Sequence, residues 1–401
     1  MLSEKLRADF PVLSRKIRGK NIIYLDSACM SLKPRQVIDA ELDYYNNYPG
    51  CGGRSVHSIS IEVSNNVDRS RKAIADFFNA EKNEIIFTKN ATEGINLIAH
   101  ALVFRKGDVV VTTDKEHNSN LVPWLTLAKN KKIRHVVVKS NPDNTFNLEG
   151  YTEILENENV KLVSFVHTSN LDGVTNPAKE IVRIAHKHGA LVLMDAAQSA
   201  PHREIDLKEI KPDFMVCSMH KMLGPTGVGV LYVNAKNYDK LETFITGGET
   251  VAETTYTHAE FLEPPYRFEA GLQNYAGIIA SASAVHYLRK IGMNKVAAHE
   301  KMLNRILTEA LAKTEQVKII GPENPDLRGG IFSFNLEGWN CHDIGILLDE
   351  TENIMVRTGR LCVHSWFSDR GVDGCIRASM YLYNTETEME CLARAIKKIT
   401  G

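Results

Sequence analysis

FMVCSMHKMLGPTGVGVLYV (214–233) places two short apolar runs on either side of a lysine and a glycine-rich turn. The runs FMVCS (214–218) and VGVLYV (228–233) read as strands bounded by turn residues. About nine residues separate them, too few for the crossover that joins parallel strands, so one antiparallel pair is expected here. Outward from this stretch, similar runs recur at EIIFT (84–88), DVVVTT (108–113), IRHVVV (133–138), VKLVSFVH (160–167) and ALVLMD (190–195). Helix-like segments lie between most of them, at 91–104, 119–130, 148–156 and 177–188. Strands alternating with helices predict an α/β domain whose mainly parallel, mixed sheet is sandwiched by helices.

Beyond residue 272 the rhythm changes. Two long helical patterns precede VKIIG, GGIFSFNLEG, NIMVRTG and GCIRASMYLYN, and ETEMECLARAIKKIT closes the chain as a helix. This order predicts a smaller α+β domain at the C-terminus. The expected division is a large domain over 16–285 and a small one built from 1–15 and 286–401.

The totals narrow the function classes. The 401 residues are 43% hydrophobic and 24% charged, ordinary globular usage. A formal net charge of -1 provides no overall field for nucleic acid or an anionic membrane, and neither is expected as a partner. The N-terminus shows no apolar secretory signal, and no run approaches the roughly 18 apolar residues of a membrane span. Cys29, Cys51, Cys217, Cys341, Cys362, Cys375 and Cys391 are scattered and include no C-x-x-C pair. A disulfide framework, a structural zinc site or any other metal centre is therefore not expected, and a reducing cytoplasm is the default location.

In an open parallel sheet, ligands bind beyond the carboxyl ends of the strands. That rule selects Asp195 and Gln198 after ALVLMD, Asn170 after VKLVSFVH, His117 after DVVVTT, and Ala91 and Thr92 after EIIFT. NATEG at a helix start offers N–H groups, a hydroxyl and the positive end of a dipole, which suit a phosphate, although Thr92 alone also reads as a helix cap. Asp195, at the end of an apolar strand, needs a cation or a strong donor. Lys221, flanked by Ser218 and His220, sits where desolvation would free its amine for imine chemistry. GPTGVG is neither a Walker motif nor a dinucleotide fingerprint, because it runs into a strand. A phosphate site, a buried acid and a lysine together suit a phosphorylated carbonyl cofactor.

YLDSA (24–28), GRSVHSIS (53–60), NATEGIN (90–96), EHNSNLVPW (116–124), SNLDGVTNP (169–177), DAAQSAPH (195–202), SMHKMLGPTGVGVLYV (218–233), RFEAG (267–271), VRTGRLC (356–362) and CIRAS (375–379) resemble the cysteine desulfurases. These are fold-type-I enzymes dependent on pyridoxal 5'-phosphate, within the class V aminotransferases, and the likeness is nearest to the Suf-type subgroup. The resemblance spans nearly the whole chain in order. It implies that Lys221 carries the cofactor as a Schiff base and later shuttles protons. Asp195 would hold the ring nitrogen charged, His117 would stack on the ring, and Asn170 and Gln198 would bond its phenolic oxygen. Ala91, Thr92, Ser218 and His220 would hold the phosphate. Arg377 would clamp the substrate carboxylate as a bidentate fork, with Arg357 and His57 lining the same pocket.

Cys362 aligns with the nucleophile that takes sulfur as a persulfide and releases alanine, and Arg357, Arg360 and His364 nearby would favour its thiolate. Two segments depart from the family. Gly359-Arg360-Leu361-Cys362 stands where Suf-type enzymes usually read G-H-H-C, and Ala270-Gly271-Leu272-Gln273-Asn274 where they usually read A-G-T-P-N. The filling of SNLDGVTNP carries an unusual acid, Asp172. The resemblance further implies L-cysteine as substrate, a homodimer, and a sulfur-acceptor or iron–sulfur scaffold protein as partner. A selenocysteine lyase would need the same lysine and clamp. Another class V enzyme would have no need of Cys362, and a non-catalytic sulfur-carrier scaffold none of Lys221.

Overall fold

A computed structural model describes residues 2–131 and 133–401. All seven apolar runs of the first part enter one sheet: β1 Ile85–Thr88, β2 Val109–Thr113, β3 Arg134–Val138, β4 Val160–Val166, β5 Leu191–Asp195, β6 Phe214–Ser218 and β7 Gly229–Val233. Their spatial order is β1-β7-β6-β5-β4-β2-β3. β7 runs antiparallel to β1 and β6, and the other neighbours are parallel. The antiparallel pair expected from the short 219–227 turn is therefore present, and it places Lys221 at the strands' carboxyl edge.

Apart from the edge strand β3, which is mostly part-exposed, these runs are continuous rather than alternating in polarity because both faces of the sheet are buried. Successive side chains point to opposite sides. Val109 and Val111 join one core with Ile85, Phe87, Met215 and Cys217. Val110 joins the other with Ile86, Leu162, Phe214 and Val216. Each side is closed by helices that follow the strands. Ala91–Ala101 and Asn118–Lys131 contribute Ile95, Ile98, Trp124 and Leu127 to the second core, while Ala178–Lys187 contributes Ile181, Val182 and Ile184 to the first. β7 also needs a glycine at its start. A Cβ on Gly229 would lie 2.5 Å from Asn90 Cα and 2.7 Å from Thr88 Oγ1, so only glycine lets β7 pass the loop that opens helix Ala91–Ala101.

The last part is α+β, as expected. β8 Val317–Ile320, β9 Ile331–Leu336, β10 Arg357–Gly359 and β11 Cys375–Ser379 form an antiparallel sheet in the order β8-β9-β11-β10. Helices Met293–Leu311, Cys341–Glu352 and Glu386–Thr400 pack on it through Leu303, Leu307, Ile344, Leu348, Met389 and Leu392.

Position 285 falls inside helix Tyr275–Ile291, and the chain turns only at Gly292, with φ of 92°. The N-terminal contribution to this part also runs beyond residue 15. Ile23–Tyr24 pairs in parallel with Ile354–Met355, Asn353 Nδ2 donates to Ile17 O at 2.6 Å, and Asp26 bridges to Ser379. We propose that the small domain begins at Gly292 and includes the N-terminal segment as far as Asp26.

Candidate active site

The carboxyl ends of β2, β4, β5 and β6 open onto a cavity of 240 Å³. Twelve of the thirteen expected site residues line it: Ala91, Thr92, His117, Asn170, Asp195, Gln198, Ser218, His220, Lys221, Arg357, Cys362 and Arg377. The first nine come from the large sheet and its loops, the last three from the α+β part. The cavity is therefore closed only where the two parts meet. His57 is the exception. It is exposed, and its Nδ1 accepts from Ser60 N at 3.3 Å, capping helix Ser58–Phe77 away from the cavity.

At one end, Asn90 caps helix Ala91–Ala101 by accepting from Glu93 N at 3.0 Å. Ala91 N then donates to Ser218 Oγ at 2.9 Å, and Thr92 Oγ1 meets Ser119 Oγ at 2.7 Å. The N-terminus of the helix and the hydroxyls of Thr92, Ser119 and Ser218 converge there, a favourable setting for an anion. Ser119 was not singled out from the sequence. It also meets His117 Nδ1 at 3.0 Å and so orients the imidazole; its signal was the position two residues after His117, at the start of helix Asn118–Lys131.

Deeper in, Asp195 is 3% exposed and accepts a hydrogen bond from Ala197 N at 2.9 Å. Burial pushes its carboxyl pKa up, against the pull of Ala197 N and of the Lys221 charge. Lys221 has no hydrogen-bond or ion-pair partner among the described residues. Burial lowers its amine pKa, with Asp195 opposing and Arg377 adding to the shift. Burial likewise holds His117 at about 3, reinforced by Lys221, Arg377 and His364, and His220 at about 4, reinforced by Lys221 and Lys33. Both imidazoles are thus neutral at physiological pH. Gln198 donates to Ala28 O at 2.6 Å and Asn170 to Leu361 O at 2.8 Å, yet Gln198 Oε1 and Asn170 Oδ1 are buried without partners among the described residues.

Arg377 is held from both sides. Its Nη1 donates to Asn170 O at 3.0 Å and its Nη2 to Asp26 Oδ1 at 3.1 Å, while Nε is buried with no partner among the described residues. Asp26 is a second residue that sequence reading missed, because its partner lies 351 positions away.

A scan against protein families matches the aminotransferase class-V model over residues 23–392. A probable cysteine desulfurase of Halobacterium salinarum is 38% identical over 398 residues, covering 98% of this chain and 95% of that protein. One of Pyrococcus abyssi is 37% identical over 401 residues, covering 99% and 98%. The apo structure of cysteine desulfurase from Thermococcus onnurineus superposes with a TM-score of 0.95 at 35% identity, covering 99% of this chain and 98% of that one.

The chain belongs to the aminotransferase class-V family.

Within this class-V chain, the two departures from the Suf-type pattern have a defined geometry. Leu361 and Cys362 both adopt left-handed backbone, with φ of 48° and 58°. This costly conformation is held by Asn170 Nδ2 on Leu361 O and by Asn118 N on Cys362 O at 2.7 Å. Arg360 does not turn to the thiol as expected. Its Nε donates to Asp373 O at 3.2 Å and its Nη1 reaches Ser368 Oγ at 3.4 Å, while Asn118 Nδ2 meets His364 Nδ1 at 2.7 Å. Of the three expected neighbours, only Arg357 shares the cavity with Cys362. Leu272 is 68% exposed and lies outside the cavity.

Proposed function

We propose that this chain is a pyridoxal-phosphate-dependent L-cysteine desulfurase of the Suf type, moving the sulfur of L-cysteine onto Cys362 and releasing L-alanine. The observation that carries this reading is one cavity holding a desolvated amine, a buried acid, an arginine fork and a thiol. The same activity is named for relatives that match 98% or more of the chain.

The cavity fits the cofactor. The unpaired oxygens of Gln198 and Asn170 call for a polar partner that the protein does not supply. Asp195, buried with a single backbone donor, suits a protonated ring nitrogen. Ala91 N, Thr92, Ser218 and His220 would hold the phosphate, and neutral His117 would lie against the ring. Pyridoxal phosphate supplies an electron sink that weakens the bonds around the substrate's α-carbon.

The protein's own groups do the rest. Lys221 holds the cofactor and moves a proton at the substrate carbon. Arg377, kept in place by Asp26 and Asn170 O, receives the substrate carboxylate together with Arg357. The Cys362 sulfur attacks the substrate sulfur; the S–S bond forms as the carbon–sulfur bond breaks, and a proton completes the methyl group of alanine. A thiol and L-cysteine become a persulfide and L-alanine, with no external oxidant.

The sulfur then passes to an acceptor or iron–sulfur scaffold protein in the cytoplasm. No described helix is long and apolar enough to cross a membrane. We also propose a homodimer. Tyr266, 45% exposed, lines an open groove with Val251, Leu262 and Tyr275, an apolar surface that a second copy would cover, and a monomer in light scattering would overturn this.

The deciding experiment supplies L-cysteine and a thiol acceptor and assays alanine and sulfide. Cys362→Ala should lose turnover, and Lys221→Ala should lose both turnover and the cofactor's visible absorption. Full turnover in Cys362→Ala would defeat the persulfide route.

A further inference from the structure

The cavity contains a second thiol. Cys29 lines it beside Lys221 and Cys362, whereas the other five cysteines do not. Its position is set by the site itself. Ala28 O accepts from Gln198 Nε2 at 2.6 Å, and Ala28 N donates to Ser379 Oγ at 3.0 Å. Cys29 N donates to Asp26 O at 3.1 Å, and the Asp26 carboxylate holds Arg377. Two residues on, Ser31 N donates to His220 O at 3.1 Å. Segment 26–31 is thereby fixed to Gln198, Arg377 and His220, and Cys29 forms part of the wall. Gln198 and Asn170, 3% and 4% exposed, line the same space, and each carries a buried side-chain oxygen with no hydrogen-bond partner among the described residues.

The two thiols differ in access. Cys29 is exposed and Cys362 only partly so. The Cys362 turn is also pinned, through Leu361 O on Asn170 and Cys362 O on Asn118 N. A nucleophile held this way is well placed for the substrate and poorly placed to carry sulfur outward.

We propose that Cys29 is a second sulfur-accepting residue, taking the outer sulfur from the Cys362 persulfide. The inference rests on the desulfurase reading above. The Cys29 thiolate attacks the outer sulfur; the bond between that sulfur and Cys362 breaks as the new S–S bond forms. Cys362 leaves as a thiolate, ready for another L-cysteine. One persulfide is exchanged for another, so no oxidant or reductant is consumed.

The test uses the holoenzyme with one equivalent of L-cysteine and no reductant, quenched by alkylation over a time course and mapped by peptide mass. Alanine is measured in the same samples. The two alkyl persulfides are of similar energy, so bound sulfur should divide between the Cys29 and Cys362 peptides within about tenfold either way. Cys362→Ser should carry none on Cys29, and Cys29→Ser should retain all of it on Cys362. Alanine formed with sulfur on Cys362 and none on Cys29 overturns the relay and leaves the desulfurase reading standing. So does a Cys29–Cys362 disulfide with free sulfide, since Cys29 would then end the transfer instead of continuing it. Absence of alanine overturns both.

Discussion

Replacing Lys115 with methionine removes one half of an ion pair that water does not reach. Lys115 Nζ lies 2.8 Å from Asp172 Oδ2, and the two residues are 1% and 0% exposed. The pair joins two loops of the site, since Lys115 precedes His117 by two residues and Asp172 follows Asn170 by two. At an effective dielectric near 20, charges this close attract by about 6 kcal/mol, from which the desolvation of both must be subtracted. Lys115→Met keeps the length of the chain but leaves the carboxylate with Val174 N as its remaining hydrogen bond. Arg328 cannot take over easily, because its guanidinium already serves Pro322 O, Glu323 O, Asn304 and Thr308. The expected loss is about 3–5 kcal/mol. Lys115→Met/Asp172→Leu should recover to within about 1 kcal/mol of the parent, because an apolar pair of similar volume replaces the buried charges. Urea denaturation with cofactor in fixed excess gives these numbers, and the KM for L-cysteine should rise in Lys115→Met as the His117 and Asn170 loops part. If Lys115→Met unfolds at the parent's midpoint, or the double variant loses the sum of the singles, the pair does not tie the loops.

Asp195→Asn removes the charge that we propose faces the cofactor ring and should cost about 1.5–3 kcal/mol, roughly 10- to 100-fold in cofactor affinity or turnover; equilibrium dialysis and steady-state rates would read it. Arg377→Lys keeps the charge but loses the fork between Asn170 O and Asp26, so kcat/KM for L-cysteine should fall by about tenfold or more, chiefly through KM. His117 and His220, held at about 3 and about 4 against roughly 6.5 when unfolded, should add no limb near pH 6–7 to the pH profile of kcat/KM. The unfolded chain binds more protons than the native one between those values, so their contribution to stability rises with pH through that window and is lost on acidification. A limb near 6.5 that disappears in His117→Gln would contradict the neutral imidazole.

Read alone, the sequence determined the sheet and most of the site. Strands buried on both faces must be continuously apolar, so all of β1–β7 but the edge strand β3 stood out for that reason, and ligand groups at their carboxyl ends followed from topology. Asp195, Asn170, His117 and Lys221 were legible for that reason. His57 was misplaced because a histidine before a helix looks the same in sequence whether it caps the helix or lines a pocket. Ser119 was passed over although its place two residues after His117 was a local signal, and Asp26 was missed because its contact is one that local pattern does not encode. The Asp26–Arg377 pair closes a loop of 351 residues. The setting of Cys362 was decided in the same way. Neighbours in sequence suggested that Arg360 would face the thiol, but packing turned that guanidinium to Asp373 and Ser368, and Asn118 and Asn170 from the large sheet fixed the turn instead. Periodicity records which face of a strand or helix is buried. Which side chains from distant segments share a cavity depends on how the two parts of the chain close on each other, and only the tertiary structure holds that information.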